Sequence, residues 1–243
     1  MVAIVDVRFN HTSMRADKAR TGRLLAGNWI LLLNILAAIF VVAGISLLIS
    51  GEAVGWLVFG FAALPILVVE WYNGELKHIP VNKKPKTITD IMAGDILGQL
   101  PANPTPKDIA LAVGRVFGGQ FFGARFGITA QFLQDIASND PSKTEAVWRE
   151  GLVVQNQTES KEVTAGVLLV ALVRNFPEHA GLLSHLNLDD DDLISGIKWQ
   201  ANLEDLIGHH KKPRRTGGIA RDFSFGYIPL LKRFGQNISE QIS

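Results

Sequence analysis

The stretch LLAGNWILLLNILAAIFVVAGISLLIS (residues 24–50) contains no charged side chain. After Gly51-Glu52 a second apolar run follows, AVGWLVFGFAALPILVV (residues 53–69), which meets Glu70, Trp71 and Tyr72. As helices at 1.5 Å per residue these runs are about 40 Å and about 26 Å long, against a hydrocarbon core of about 30 Å. The pairing predicts a two-helix transmembrane hairpin over residues 24–50 and 53–72. The alternative is a pair of fully buried core helices. A cleaved signal peptide fits less well, because the apolar run exceeds an h-region and Asp6 and Asp17 lie among the basic residues before it.

The flanks orient such a hairpin. Arg8, Arg15, Lys18, Arg20 and Arg23 lie in the arm of residues 1–23, and Lys77, Lys83, Lys84 and Lys86 lie in a basic linker over residues 73–86. The turn between the spans carries only Glu52. Because Lys and Arg mark the cytoplasmic side of short loops, both termini are expected in the cytoplasm and the turn outside. Trp29, Trp71 and Tyr72 then fall at the inner interface and Trp56 at the outer one, where aromatic belts form. Pro65 is expected to bend the second span. The spans hold no charge at depth, which argues for an anchor and against a channel or transporter. Asn34, the one strongly polar side chain there, is expected to bond a partner helix or another copy of the chain.

Roughly 170 residues follow the hairpin, enough for a soluble domain with its own core. A net charge of +1 gives no reason to expect nucleic acid as a partner, and with no cysteine there is neither a disulfide nor thiol chemistry. Residues 2–9 alternate like a short strand or irregular arm. Helices are expected over residues 91–100 (capped by Thr87 or Thr89), 107–116 (Thr105 as cap, Pro106 at the first position) and 129–137. Others are expected over residues 144–154, 163–174, 177–185 and 189–206, with a polar loop at 155–161 and a glycine-rich stretch at 118–127. Segments recur at an offset of about 60 residues: IALAV (109–113) precedes RFGI (125–128) as LLVALV (168–173) precedes HLNL (185–188). That spacing points to two like helical units, residues 87–138 and 143–207, stacked on a shared core. The fold class expected is all-α.

VTAGVLLVALVRNFPEHAGLLSHLNLDDDDL (residues 163–193) resembles the second half of the Clp N-terminal domain, the doubled four-helix repeat of Clp-type protein unfoldases. Leu186-Asn187-Leu188-Asp189 stands at that family's turn after the short helix, and Phe126-Gly127-Ile128-Thr129 is its looser counterpart. FSFGYIPLLKRFGQNISEQI (residues 223–242) is similar to the segment that joins this domain to the first AAA+ ATPase module. The resemblance spans residues 86–242 and implies a module tethered to a bacterial inner membrane and docking protein substrates or adaptors, with residues 208–243 a basic linker toward an ATPase. Homo-oligomers would then form through that module's ring. No G-x-x-x-x-G-K-[ST] occurs, so ATP and Mg²⁺ are expected only with such a module and no cofactor in this chain. A stand-alone membrane adaptor or scaffold is the alternative.

In some members of the family a glutamate just ahead of each apolar helix contributes to recognising phosphorylated arginine. The matching positions here are Lys107 and Gly166, with Asp108 and Glu162 nearby but out of register. The docking surface implied by the resemblance is placed at Lys107, Asp108, Glu162 and Arg174. Asp189–Asp192 lacks the alternation of a calcium loop and is expected to cap a helix. His209-His210-Lys211-Lys212-Pro213-Arg214-Arg215 is expected to be a basic linker, since adjacent histidines do not share a helix face. Gly114, Gly118, Gly119, Gly123 and Gly127 do not form a phosphate loop and are expected to permit tight turns and close packing. Neither a catalytic constellation nor a metal-ligand pattern is present in the sequence.

Overall fold

Ser13 opens the first helix: its side chain accepts a hydrogen bond from the Ala16 N–H, and α1 runs Met14–Leu25. The structure, a computed structural model, describes residues 6–82 and 84–210, with side chains to residue 206. Among these the chain is helical, and the extended pairing consists of two isolated parallel bridges, Asp6 with Thr87 and Met92 with Val163. Met1–Gln200 form one unit and Ala201–Ser243 a second, whose described residues are the last turns of α12. The expectations for residues 2–5, for residues 211–243 and for the side chains of His209 and His210 lie outside what is described.

Gly27, at φ 73°, separates α1 from α2 (Asn28–Ile49). After a turn at Gly51 the chain returns as α3 (Val54–Phe61) and α4 (Ala63–Trp71), closed by a π-helical turn at Tyr72–Leu76. The break at Ala62 follows from Pro65, whose ring has no N–H to give the carbonyl of Phe61 and crowds it. Both arms of this hairpin, Asn28–Ile49 and Val54–Leu76, are long and apolar enough to cross a membrane. The arms meet through small residues. A Cβ on Gly44 would lie 2.8 Å from the Phe59 backbone nitrogen, and one on Gly55 would lie 2.8 Å from the Gly44 carbonyl oxygen. Asn34 Nδ2 donates to the Ile30 carbonyl of its own helix at 2.7 Å.

The body follows. A 3-10 turn, Ile88–Asp90, is closed by Thr87 and Asp90 in a reciprocal capping box, and a short α5 (Gly94–Leu97) comes next. The helix expected over residues 91–100 is interrupted because Ala93 N–H bonds the Val163 carbonyl and Val163 N–H bonds that of Ile91. α6 (Pro106–Arg115) starts at the Thr105–Asp108 capping box with proline at its head. α7 (Phe117–Phe126) and α8 (Ala130–Ile136) complete the first half. The second half is α9 (Thr144–Thr158), α10 (Ala165–Arg174), α11 (His179–His185) and α12 (Asp190–His210).

The halves share their punctuation. Thr105 and Thr164 cap α6 and α10. Gly127 and Asn187 both take positive φ, 75° and 55°, before Ile128 and Leu188. Thr129 and Asp189 then cap α8 and α12. Every residue from Ala165 to Val173 is buried, so α10 is apolar all round and forms the centre of the core. Gly118 and Gly166 leave room for Gln200, and Gly119 lets α7 approach the Val113 carbonyl.

Candidate functional site

Two features carry chemistry that a plain helical core does not need: the seam between hairpin and body, and a cleft beside Arg174. At the seam α1 lies against the π-helical turn and α5. Arg15 is only 6 % exposed. Its Nε donates to the Pro80 carbonyl at 3.2 Å, and its Nη1 donates to the carbonyls of Thr89 at 2.8 Å and Met92 at 2.5 Å. Nη2 reaches the Ile79 carbonyl at 3.5 Å. One guanidinium thus gathers the strand-like linker and the first turn of the body, as its fork of donors allows. Burial pulls its pKa down, while the charges of Glu162 and Asp90 pull it back up. Around it Lys18 pairs with Glu75 at 2.5 Å, Arg23 donates to the Gly98 carbonyl at 3.2 Å, and Asn10 N–H bonds Thr89 Oγ1 at 2.8 Å. A Cβ on Gly22 would stand 2.8 Å from the Leu76 carbonyl oxygen, so helix and turn touch backbone to backbone.

The hairpin beyond the seam exposes apolar bulk. Trp29 is 62 % and Trp56 68 % exposed, with Leu31, Ile39, Val42, Leu57 and Leu64 also open. Trp29 and Trp71 stand at the base of the hairpin, with Tyr72 half-buried beside them, and Trp56 stands near its tip.

The cleft, about 910 Å³, lies among α9, the end of α10, α11 and the start of α12. Arg174, at the last position of α10, ties these elements together. Its Nη1 donates to Glu150 Oε1 at 3.0 Å and Gln157 Oε1 at 3.0 Å, its Nε donates to Asp190 Oδ1 at 2.9 Å, and its Nη2 pairs with Asp190 Oδ2. The bonds it donates to Asp190 raise its pKa further; burial opposes them and Glu150 adds to them. Asp189 and Asp192 exchange side-chain-to-backbone bonds, Asp189 N–H to Asp192 at 3.0 Å and Asp192 N–H to Asp189 at 2.8 Å. This is the helix cap expected of the acidic run. A second hollow of about 540 Å³ has Phe9 stacked on Trp148 at 6.0 Å as part of its wall.

The residues expected to dock proteins do not converge. Asp108 accepts from Thr105 N–H at 2.9 Å and is occupied by its cap, while Lys107 is exposed beside it. Glu162 precedes α10 and Arg174 ends it, so the length of that helix, about 15 Å, lies between them. Glu162 belongs electrostatically to the Arg15 seam, and Arg174 to the cleft. Sequence reasoning missed Arg15, Glu150 and Val153; Ser13 as a cap was the one local signal that α1 begins before the apolar run. Among the described residues no group of His, Asp and Glu stands close enough to hold a metal ion. Comparison with protein-family models, with characterised proteins and with solved structures finds no match to this chain.

Proposed function

We propose that this chain is a membrane-tethered protein-docking module, with the hairpin in the bilayer and the helical body presenting a surface to protein substrates or adaptors. The observation that carries the reading is the hairpin's exposed apolar surface, joined to a well-packed body through the Arg15 seam. Water does not favour such a surface, whereas a lipid core of about 30 Å accommodates arms of 22 and 23 residues. The basic flanks favour both termini in the cytoplasm of a bacterial inner membrane. The recurrence of caps and positive-φ residues at offsets near 60 supports the likeness to a Clp N-type double repeat, and with it a role in an ATP-dependent unfoldase system.

The natural absence of cysteine makes a direct test available. Glu52→Cys at the hairpin tip and Ala102→Cys on the body are labelled with a membrane-impermeant maleimide in cells whose outer membrane has been opened. Labelling of Glu52→Cys before lysis and of Ala102→Cys only after it supports the reading; the reverse pattern, or release of the protein by alkaline carbonate, overturns it. Photo-cross-linking from exposed body positions in cells is expected to give discrete protein adducts, and their absence refutes docking. Purification of the membrane complex with an AAA+ ATPase supports the unfoldase assignment. Purification without one turns the reading to a stand-alone adaptor.

A further inference from the structure

Four carboxylates line the cleft beside Arg174, those of Glu150, Asp189, Asp190 and Asp192, against one guanidinium. Among the carboxylates and the guanidinium, four negative charges less one positive leave three negative charges in about 910 Å³. Arg174 spends its own charge on Glu150 and Asp190. Asp189 and Asp192 each use one carboxylate oxygen in capping α12 and keep a second. Between the acids the lining is mixed: Val153, 43 % exposed, and Leu188 share it with Gln157, Ser184 and Asn187. Carboxylates set among both polar and apolar side chains are complementary to a segment in which cationic side chains flank apolar ones.

We infer that this cleft is the docking groove for a basic, apolar-containing segment of a partner protein, and that Arg174 is its internal counter-ion. The inference rests on the docking reading above and assigns it a partner chemistry. The cleft volume suits several side chains. A polyamine satisfies the carboxylates but brings no branched side chain to cover Val153 and Leu188. An incoming Lys or Arg competes with Arg174 for Glu150 and Asp190, so the residue holds the groove neutralised in part until a partner arrives.

The competition gives the test its direction. The full chain in phosphatidylcholine nanodiscs, with empty discs as control, is titrated with a labelled peptide alternating Lys or Arg with Leu and Val, and with its Glu-substituted counterpart. The basic peptide is expected to bind and to weaken as ionic strength rises. Glu150→Gln and Val153→Lys are expected to weaken it about fivefold, and Arg174→Gln to tighten it by a similar factor. A merely structural Arg174 would weaken binding when replaced. If Arg174→Gln does not fold, the other two variants still decide, since both positions are partly open to solvent. Preference for the acidic peptide, binding of spermidine without the peptide, or unchanged binding in Glu150→Gln and Val153→Lys overturns the inference. Where one of these results accompanies protein adducts in the cross-linking experiment, the docking reading stands and only the groove falls. No peptide binding and no adducts together remove both.

Discussion

Replacing Arg15 with methionine keeps most of the side chain's length and removes every donor. The guanidinium makes two close bonds to carbonyls, 2.8 Å to Thr89 and 2.5 Å to Met92, and two longer ones to Pro80 and Ile79. Hydrogen bonds from a charged donor contribute about 1.5–3 kcal/mol each, so the close pair supplies roughly 3–6 kcal/mol. Relief of the buried charge, whose burial holds the guanidinium's pKa below its ordinary value, returns part of that. The net loss expected for Arg15→Met is about 3 kcal/mol. In a chain of this size each kcal/mol lowers Tm by about 2–4 °C, giving a drop of about 6–12 °C. Thermal unfolding of the full chain in detergent, followed by circular dichroism, measures it. Protease cleavage within residues 77–86 is expected to accelerate in parallel, because those carbonyls lose their tether. Arg15→Lys, with a compact ammonium in place of the fork, is expected to fall between. A Tm within about 2 °C of the parent and an unchanged cleavage pattern would refute the argument that one guanidinium joins hairpin to body.

Three further outcomes follow from named contacts. Gly22→Ala sets a methyl 2.8 Å from the Leu76 carbonyl oxygen, a backbone atom, and is expected to cost about 1–3 kcal/mol in the same melt; no change would show that α1 and the π-helical turn can part freely. Gly44→Leu drives its side chain into the Phe59 backbone, so spin labels on the two hairpin arms should move apart, and an unaltered distance distribution counts against the observed packing. Burial opposes ionisation of Asp90, yet bonds from the Lys86 and Thr87 N–H groups, from Asn82 and from the Thr87 hydroxyl outweigh it and hold the pKa below the usual value. With the folded pKa depressed, its stabilisation is complete above the unfolded value of about 3.9 and is lost as pH falls through the lower folded value. Urea midpoints measured from pH 6 downward should therefore decline more steeply for the parent than for Asp90→Asn, and parallel curves would contradict it.

Local chemistry made some elements legible and left others hidden. Thr105-Pro106 placed α6 to within a residue, because capping and proline geometry are decided within four positions. The glycine-rich stretch concealed α7. Glycines disfavour a helix intrinsically, but here their lack of a Cβ is what allows α7 to reach the Val113 carbonyl and Gln200, so packing overrides propensity. The polar run after Val154 hid the last turn of α9, which ends only where Glu159 takes φ 54°. The apolar arms were evident from composition alone. Arg15 was counted merely as a flanking positive charge, since its carbonyl partners lie 64 to 77 residues away and no local pattern announces them.

Two positions account for the cleft beside Arg174 when the similar segments are set side by side. Arg115 ends α6 as Arg174 ends α10, and Thr129 caps α8 as Asp189 caps α12. What differs is the pair of residues where the helices meet. In the first half Gly114 lies so near Ala130 that an added Cβ would stand 2.4 Å from the alanine's, and α8 closes directly onto α6. Fifty-nine to sixty positions on, Val173 and Asp190 take those places. A branched side chain and a carboxylate cannot approach as glycine and alanine do, and Asp190 instead engages Arg174 across the gap. Both helices therefore end in arginine, and the cleft beside Arg174 lies where the larger pair stands in place of glycine and alanine. A docking site read from the likeness to a family would be sought at both helix starts; the cleft beside Arg174 instead lies at a helix end, where Asp190 meets the arginine.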